Sequence, residues 1–190
     1  MLITFSEKLV DLLIHGSQKT FDDEDREVYV YGVECFLNMV IVTGILCIWG
    51  IFTHSFFETL LWIASFSIIR HYAGGLHAPS ELSCIVSSVL IGGTNYFAIQ
   101  YANVTIWAFL FCLLICMLFA PTDTSKLELT QQQKRVYKLK AGFTILVGAA
   151  ICLLIGENTF TRSVLYAFVC ASLLCAVLKL KKCLFVRHFM

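Results

Sequence analysis

The length of its uncharged segments constrains this chain more than any other feature. Asp, Glu, Lys and Arg are all absent from residues 35–57 and from residues 82–122. A helix rises about 1.5 Å per residue and the hydrocarbon core of a bilayer is about 30 Å thick, so the first segment can cross once and the second twice. Residues 141–156 and 163–178 are also uncharged, and neighbouring Lys and Arg side chains can reach the interface where these segments are short.

The composition supports a membrane protein. Of 190 residues, 58% are hydrophobic and only 14% are charged, against roughly 45–50% and 25% in soluble domains. A fold of this size cannot bury that much apolar surface, and the lipid bilayer must therefore cover the remainder. Soluble enzymes and nucleic-acid-binding proteins are therefore excluded, and the odd number of cysteines, 9, argues against a secreted disulfide scaffold.

The distribution of positive charge predicts how many segments cross. Residues 56–69 are a weak span, because they include Glu58 and run directly into Arg70. If they cross, every Lys and Arg except Arg162 lies on one side of the membrane, and this bias marks the cytoplasmic side. We therefore predict one all-α polytopic domain over residues 1–190, with both termini in the cytoplasm. Its six transmembrane helices cover about residues 33–53, 56–70, 80–100, 105–121, 140–156 and 162–179.

The cytoplasmic N-terminal segment, residues 1–32, is expected to be helical. Leucine and phenylalanine recur there at helical spacing, as Leu2, Phe5, Leu9, Leu12 and Leu13. This pattern predicts an amphipathic helix in the inner membrane interface. A helix packed on the protein's own inner face would show the same pattern.

The connection between the second and third spans holds the residues most suited to catalysis. Pro79 and Ser80 are typical of a helix start, which places Cys84 about one turn inside the third span. A helix N-terminus stabilises a thiolate, whereas low polarity penalises an ion without a partner. His77 precedes the helix, and Gly74-Gly75 gives the backbone freedom to fold it back over Cys84.

Other interpretations of this segment remain open on spacing alone. The glycines and Pro79 could form a loop with solvated histidines, and Arg70 could be an interfacial anchor. Alternatively, His71, His77 and Cys84 could be three ligands of a zinc ion with an open catalytic position.

The segment resembles a known family. Arg70, Gly74-Gly75-Leu76-His77-Ala78-Pro79 and Cys84, followed by hydrophobic spans in a chain of this size, closely resemble the accessory gene regulator B (AgrB) family. These are bacterial integral-membrane cysteine endopeptidases that process quorum-sensing propeptides. The resemblance implies that His77 and Cys84 are catalytic and that Arg70 and Gly75 support them.

The resemblance also implies a reaction and its setting. An AgrB-type enzyme removes the C-terminal tail of an AgrD-like propeptide on the cytoplasmic side of the cell membrane, through a thioester with Cys84. It then closes a thiolactone or lactone ring on the remaining peptide. No cofactor is implied, and a homodimer is expected. The alternatives are a non-enzymatic membrane transport component and a zinc-dependent intramembrane protease.

Two further groups of residues have candidate roles. Arg70 could pair with a carboxylate, or hold the substrate or an oxyanion, and Glu81 could orient His77 or simply suit the positive end of a helix. The connection 121–140 is rich in cations, which anionic lipid would attract and which could also bind the acidic tail of a propeptide. These cations are Lys126, Lys134, Arg135, Lys138 and Lys140.

Overall fold

A computed structural model describes residues 2–16, 22–74, 81–122 and 130–188, with only the backbone described at 2, 16, 23, 24, 81 and 181–188. Within these ranges the chain is helical and contains no strand, which confirms the predicted all-α class. The helices are α1 (Leu2–Gly16), α2 (Asp23–Phe52), α3 (Phe56–Ala73), α4 (Glu81–Gly93), α5 (Asn95–Tyr101), α6 (Ile106–Phe119), α7 (Gln131–Ile155) and α8 (Thr159–His188).

Four helical stretches in the described residues are long and apolar enough to cross a membrane. They are Asp25–Phe52, Leu82–Tyr101, Gln131–Ile155 and Thr159–Leu180. The α6 helix is strongly apolar but has only 14 residues, and α3 has 18 residues that include Glu58 and Arg70. The expected turn after the third span is confirmed, because residues 102–105 separate α5 from α6. The crossing of α3 and α6, and hence the total of six spans, stays a prediction.

Two helix boundaries add detail to the predicted spans. Residues 121–140 are predicted to connect two spans, and α7 already begins within them at Gln131, where Thr130 and Gln133 form a capping box. The predicted third span consists of two helices, α4 and α5, which meet at Thr94. The hydroxyl of Thr94 donates to the Ile91 carbonyl at 2.6 Å and lies 2.6 Å from the Tyr166 hydroxyl of α8, which fixes the break against a neighbouring helix.

The α8 helix lies at the centre of the described bundle and packs against α3, α5, α6 and α7. Its Phe168 packs edge-to-face on Phe109 of α6, with ring centroids 6.0 Å apart. Gly148 of α7 lies directly against the Phe168 ring, so that any side chain at this position would clash with it. Small residues allow this close approach of helices where lipid gives no hydrophobic driving force.

Polar side chains join α3 and α5 to α8 at the end of the bundle away from Arg70. The Ser163 hydroxyl donates to the Glu58 carbonyl at 2.8 Å and accepts from Nδ2 of Asn95 at 2.8 Å. Thr159 donates to the Glu58 carboxylate at 2.9 Å. Because buried polar groups need such partners, these bonds fix the register of α3 along α8.

The α1 helix packs on the start of α2. Ser6 and Val10 are buried, and Arg26 of α2 forms an ion pair with Asp11 at 2.8 Å. Phe5 and Leu12, on the remaining apolar surface of α1, are exposed. One face of α1 therefore packs on the protein's own surface, while its location in the membrane interface stays a prediction.

Candidate active site

Cys84 lies in the first turn of α4, which begins at Glu81, as the sequence predicts. It is buried, with only 7% of its surface exposed. The free NH groups of a helix N-terminus carry partial positive charge that stabilises a nearby anion. The helix therefore presents Cys84 where a thiolate is electrostatically favoured.

Asn38 of α2 forms a hydrogen bond with this sulfur. Its side-chain Nδ2 donates to Cys84 Sγ over 3.2 Å, across the contact between α2 and α4. The sequence analysis gave Asn38 no role. Its only local signal is an amide in an otherwise apolar segment, because its pairing with a residue 46 positions away depends on how the helices pack.

Arg70 contributes positive charge to the same site from the last turn of α3. It is half-buried, its guanidinium carbon lies 5.7 Å from the Phe66 ring centroid, and it interacts electrostatically with Cys84, Cys35 and Tyr31. The C-terminal turn of a helix favours a cation. The structure thus brings Arg70 and Cys84, two residues that the sequence assigns to one site, close together.

A cavity of about 350 Å³ lies between α2, α3 and α4 and includes both residues. One wall is aromatic, because Trp62 and Phe66 are stacked with ring centroids 4.8 Å apart. A mostly apolar pocket with a few convergent polar groups is typical of a small-molecule or peptide site. Its polar lining residues are Cys35, Asn38, Thr43, Ser67, Arg70, His71, Cys84 and Ser88.

The end of α3 is fixed by contacts with other elements. The Ala73 carbonyl accepts from the Thr122 amide at 2.9 Å, from the Thr122 hydroxyl at 3.3 Å and from the Cys175 thiol at 3.7 Å. Gly74 follows with φ of 80° and packs on the Thr122 carbonyl, where a side chain would clash. Only glycine suits this backbone conformation, as the sequence argument for Gly74 expected.

Two histidines were candidates for a role beside Cys84. His71 is exposed and lines the cavity; its ring centroid is 5.1 Å from that of Tyr72 and 6.4 Å from that of Tyr137. His77 and Gly75 lie outside the described residues, in the connection between α3 and α4, and so does the side chain of Glu81. The pairing of His77 with Cys84 therefore stays a prediction.

The zinc hypothesis concerns the same residues. His71 and Cys84 line one cavity, but the third ligand of that hypothesis, His77, is outside the described ranges. Among the residues that are described, no group of three or more His, Cys, Asp or Glu side chains could hold a metal ion. A zinc site completed by His77 therefore stays a hypothesis.

The predicted basic residues cluster at the same end of the bundle. Lys126 lies outside the described residues, whereas the other four occupy the first three turns of α7, which packs on α3. The Nζ of Lys140 is 5.8 Å from the Tyr72 ring centroid, close to the cavity that His71 lines. These four residues are Lys134, Arg135, Lys138 and Lys140.

The fold and the site define a class of protein: a helical membrane protein with a buried thiol, an amide and a guanidinium in a cavity near one end of the bundle. The profile of the accessory gene regulator B (AgrB) family matches residues 6–180 of the chain. The chain therefore belongs to the AgrB family. This membership assigns it a role in the accessory gene regulator system.

Relatives from several bacteria support this assignment, and each is described only as AgrB-like. The chain is 31% identical over 163 residues to a protein of Lactiplantibacillus plantarum strain WCFS1, covering 81% of each chain. It is 31% identical over 162 residues to a protein of Listeria monocytogenes strain EGD-e, covering 80% of this chain and 78% of the relative. A Clostridium perfringens protein is 27% identical over 142 residues, covering 69% and 66%. No solved structure matches the chain.

Proposed function

We propose that this protein is a membrane cysteine endopeptidase that cuts the C-terminal tail from a quorum-sensing propeptide and cyclises the remaining peptide. The observation that carries the proposal is the environment of Cys84. Its sulfur lies one turn inside α4, accepts a hydrogen bond from Asn38 and interacts with the Arg70 cation. These surroundings favour a nucleophilic thiolate more than an inert structural thiol.

In the first half of the reaction His77 acts as the general base. It takes the proton of the Cys84 thiol, and the sulfur attacks the carbonyl carbon of the bond that precedes the tail. That carbon–nitrogen bond breaks, and His77 returns the proton to the departing amine. The tail leaves as a free peptide and the leader remains attached to Cys84 as a thioester.

In the second half the thioester is transferred within the bound peptide. A cysteine thiol or serine hydroxyl of the peptide attacks the thioester carbonyl, its proton passes through His77 to the Cys84 sulfur, and a thiolactone or lactone ring closes. Exchange between a thiol and a thioester is nearly balanced in energy, so exclusion of water favours the ring over hydrolysis. The burial of Cys84 supports such exclusion.

The setting of the site belongs to the same proposal. We place the cavity at the cytoplasmic face of the bacterial cell membrane, in a six-span homodimer, with the cations of α7 beside it. The acidic tail of an AgrD-like propeptide would complement Lys134, Arg135, Lys138 and Lys140. Support comes from the contact of α7 with α3, which brings these cations and Arg70 to one end of the bundle.

The direct test uses purified protein, reconstituted in lipid vesicles, with a synthetic propeptide. The expected products are a tail fragment and a ring one water lighter than the matching linear peptide, both identified by mass spectrometry. Cys84→Ala should abolish both products. Cys35→Ala is the matched control, because Cys35 is a second thiol of the same cavity, and it should retain activity. Full activity of Cys84→Ala would overturn the proposal.

The same assay distinguishes the cysteine nucleophile from the zinc hypothesis, which takes His71 and Cys84 of this cavity as metal ligands. A strong chelator should leave product formation unchanged if Cys84 is the nucleophile. Loss of activity with the chelator, restored by zinc, would instead favour a metal-dependent protease. No product from any propeptide with an acidic tail would favour the transport component.

A further inference from the structure

Asn38 lies in the wall of the cavity, in direct contact with the sulfur that the proposed reaction uses. Its Nδ2 is 3.2 Å from Cys84 Sγ, and Cys84 is almost fully buried. A donor at this distance is within reach of any charge that develops on the sulfur. Asn38 therefore acts on the reacting atom itself and not through another residue.

The strength of this bond depends on the charge of the sulfur. A neutral thiol is a weak hydrogen-bond acceptor, whereas an ionised acceptor forms a bond about twice as strong as a neutral one. The Asn38 amide therefore stabilises the thiolate more than the thiol. Arg70 acts on the same sulfur through its charge, so the two groups favour ionisation by different means.

The other half of the Asn38 amide contributes no hydrogen bond to the fold among the described residues. Its Oδ1 is buried and has no hydrogen-bond partner among the described residues. A buried amide oxygen without a partner destabilises the folded state, and an apolar residue of similar shape would avoid this loss. Asn38 therefore stands at a position where leucine would be better for stability, which points to a role in the chemistry.

We propose that Asn38 is a further catalytic residue, whose side-chain N–H holds the Cys84 sulfur in its thiolate form before it attacks the peptide. The inference rests on the proposed function, because it concerns the nucleophile of that reaction. It also extends the reaction to α2, so that α2, α3 and α4 each supply one group to the sulfur: Asn38, Arg70 and the N-terminal turn around Cys84 itself.

The experiment measures how fast iodoacetamide alkylates Cys84 between about pH 6 and about pH 10, a range that brackets the ordinary ionisation of a thiol. Mass spectrometry of the Cys84 peptide separates it from the other cysteines. Asn38→Leu keeps the size and removes the donor, and Asn38→Asp keeps the shape and places a carboxylate beside the sulfur. Val40→Leu is the matched control, because Val40 is exposed on the same helix and lies outside the cavity lining.

We expect Asn38→Leu to slow alkylation about ten- to hundredfold at neutral pH, which is the loss that follows from removing a hydrogen bond to a charged group. The rates should converge with wild type at high pH, where the thiol ionises without help. The thermal midpoint of unfolding should not fall. Release of the propeptide tail should slow through kcat more than through KM, and Val40→Leu should match wild type.

Two results would overturn the inference. Either the alkylation profiles of Asn38→Leu and wild type coincide, or the rate falls by the same factor at every pH, as a change in access to the cavity would cause. If Asn38→Leu does not fold, Asn38→Asp decides, since alkylation at neutral pH as fast as in wild type would also overturn it. Failure of the proposed function is distinct, because it appears as tail release by Cys84→Ala and leaves the alkylation profiles interpretable.

Discussion

A guanidinium at the last turn of α3 and a sulfur at the first turn of α4 lie at helix ends of opposite polarity. The negative end of α3 favours the Arg70 cation, and the positive end of α4 favours a Cys84 thiolate. Each helix thus stabilises the charge that it carries into the cavity. The cation also lies over the Phe66 ring, with its guanidinium carbon 5.7 Å from the ring centroid, which is within the range of a favourable cation–π contact.

We expect Arg70→Gln to lower the rate of tail release by more than about tenfold, because removal of one charge from a poorly solvated pair costs at least about 1.4 kcal/mol. Arg70→Lys is the matched variant, since it keeps the charge but loses the planar fork, and it should retain an intermediate rate. Steady-state kinetics with a fluorescent propeptide measures both. Equal rates for Arg70→Gln and wild type would show that Arg70 only anchors the helix at the interface.

The sequence predicts part of this site and misses part of it for a physical reason. Arg70, His77 and Cys84 belong to one short segment, so their spacing and the helix start expected near Ser80 already predict that they form one site. Asn38 contributes from another helix, and its closeness to Cys84 depends on the packing of α2 against α4. The position of His77 is still the sequence prediction.

Among the helices, α7 carries a charge pattern that opposes its own dipole. Its capping box fixes the start at Gln131, so Lys134 ends the first turn, where negative side chains are ordinarily favoured, and Arg135 and Lys138 follow it directly. Cations at this end of a helix weaken it slightly unless an anion is nearby. The pattern is therefore explained by anionic lipid, an acidic peptide or both.

The double variant Lys134→Gln, Lys138→Gln separates these two anions, because the residues are one turn apart on one face of α7. If the face binds the acidic tail, kcat/KM should fall about three- to tenfold for the natural propeptide, in line with surface charge pairs of up to about 1 kcal/mol. It should change little for a propeptide whose tail acids are replaced by amides. High salt should reduce the difference.

An equal loss with both peptides would mean that α7 binds lipid or supports the fold, and it would contradict the docking role. Arg135→Gln is the matched control, because it removes one cation from an exposed position between the two lysines. We expect it to have less effect than the double variant.

Helix positions were predicted better than helix ends. Apolar length alone indicates most of the helices, but the early start of α7 depends on the local bonds between Thr130 and Gln133. The break at Thr94 depends on a contact with Tyr166, 72 residues away. A hydropathy profile contains no information on local capping hydrogen bonds or on contacts with residues distant in the sequence.

The topology of the whole molecule depends on whether α3 crosses the membrane. Charge bias favours a crossing, whereas Glu58 and Arg70 lower its hydropathy. In the structure the Glu58 carboxylate accepts from Thr159 and Arg70 lies over the Phe66 ring. With partners for both charges at opposite ends of α3, the helix can span despite them.

Fusions to alkaline phosphatase, which is active only after export, test this topology in bacterial cells. We expect activity for fusions at His54, Asn103 and Glu157 and none for fusions at Gly74 and Thr130. His54 and Gly74 form the decisive pair, because they bracket α3. The same result at both would show that α3 does not cross, and activity at both would put the site on the outer side.

The three donors that meet on the Ala73 carbonyl have a consequence for turnover. They hold the end of α3 in place beside the cavity. In a peptidase of the proposed kind, substrate binding would therefore not need to order this segment first. The enzyme would then select one peptide bond of a flexible propeptide beside a helix end that is already ordered. In such an enzyme the position of the peptide relative to Arg70 would contribute to selectivity.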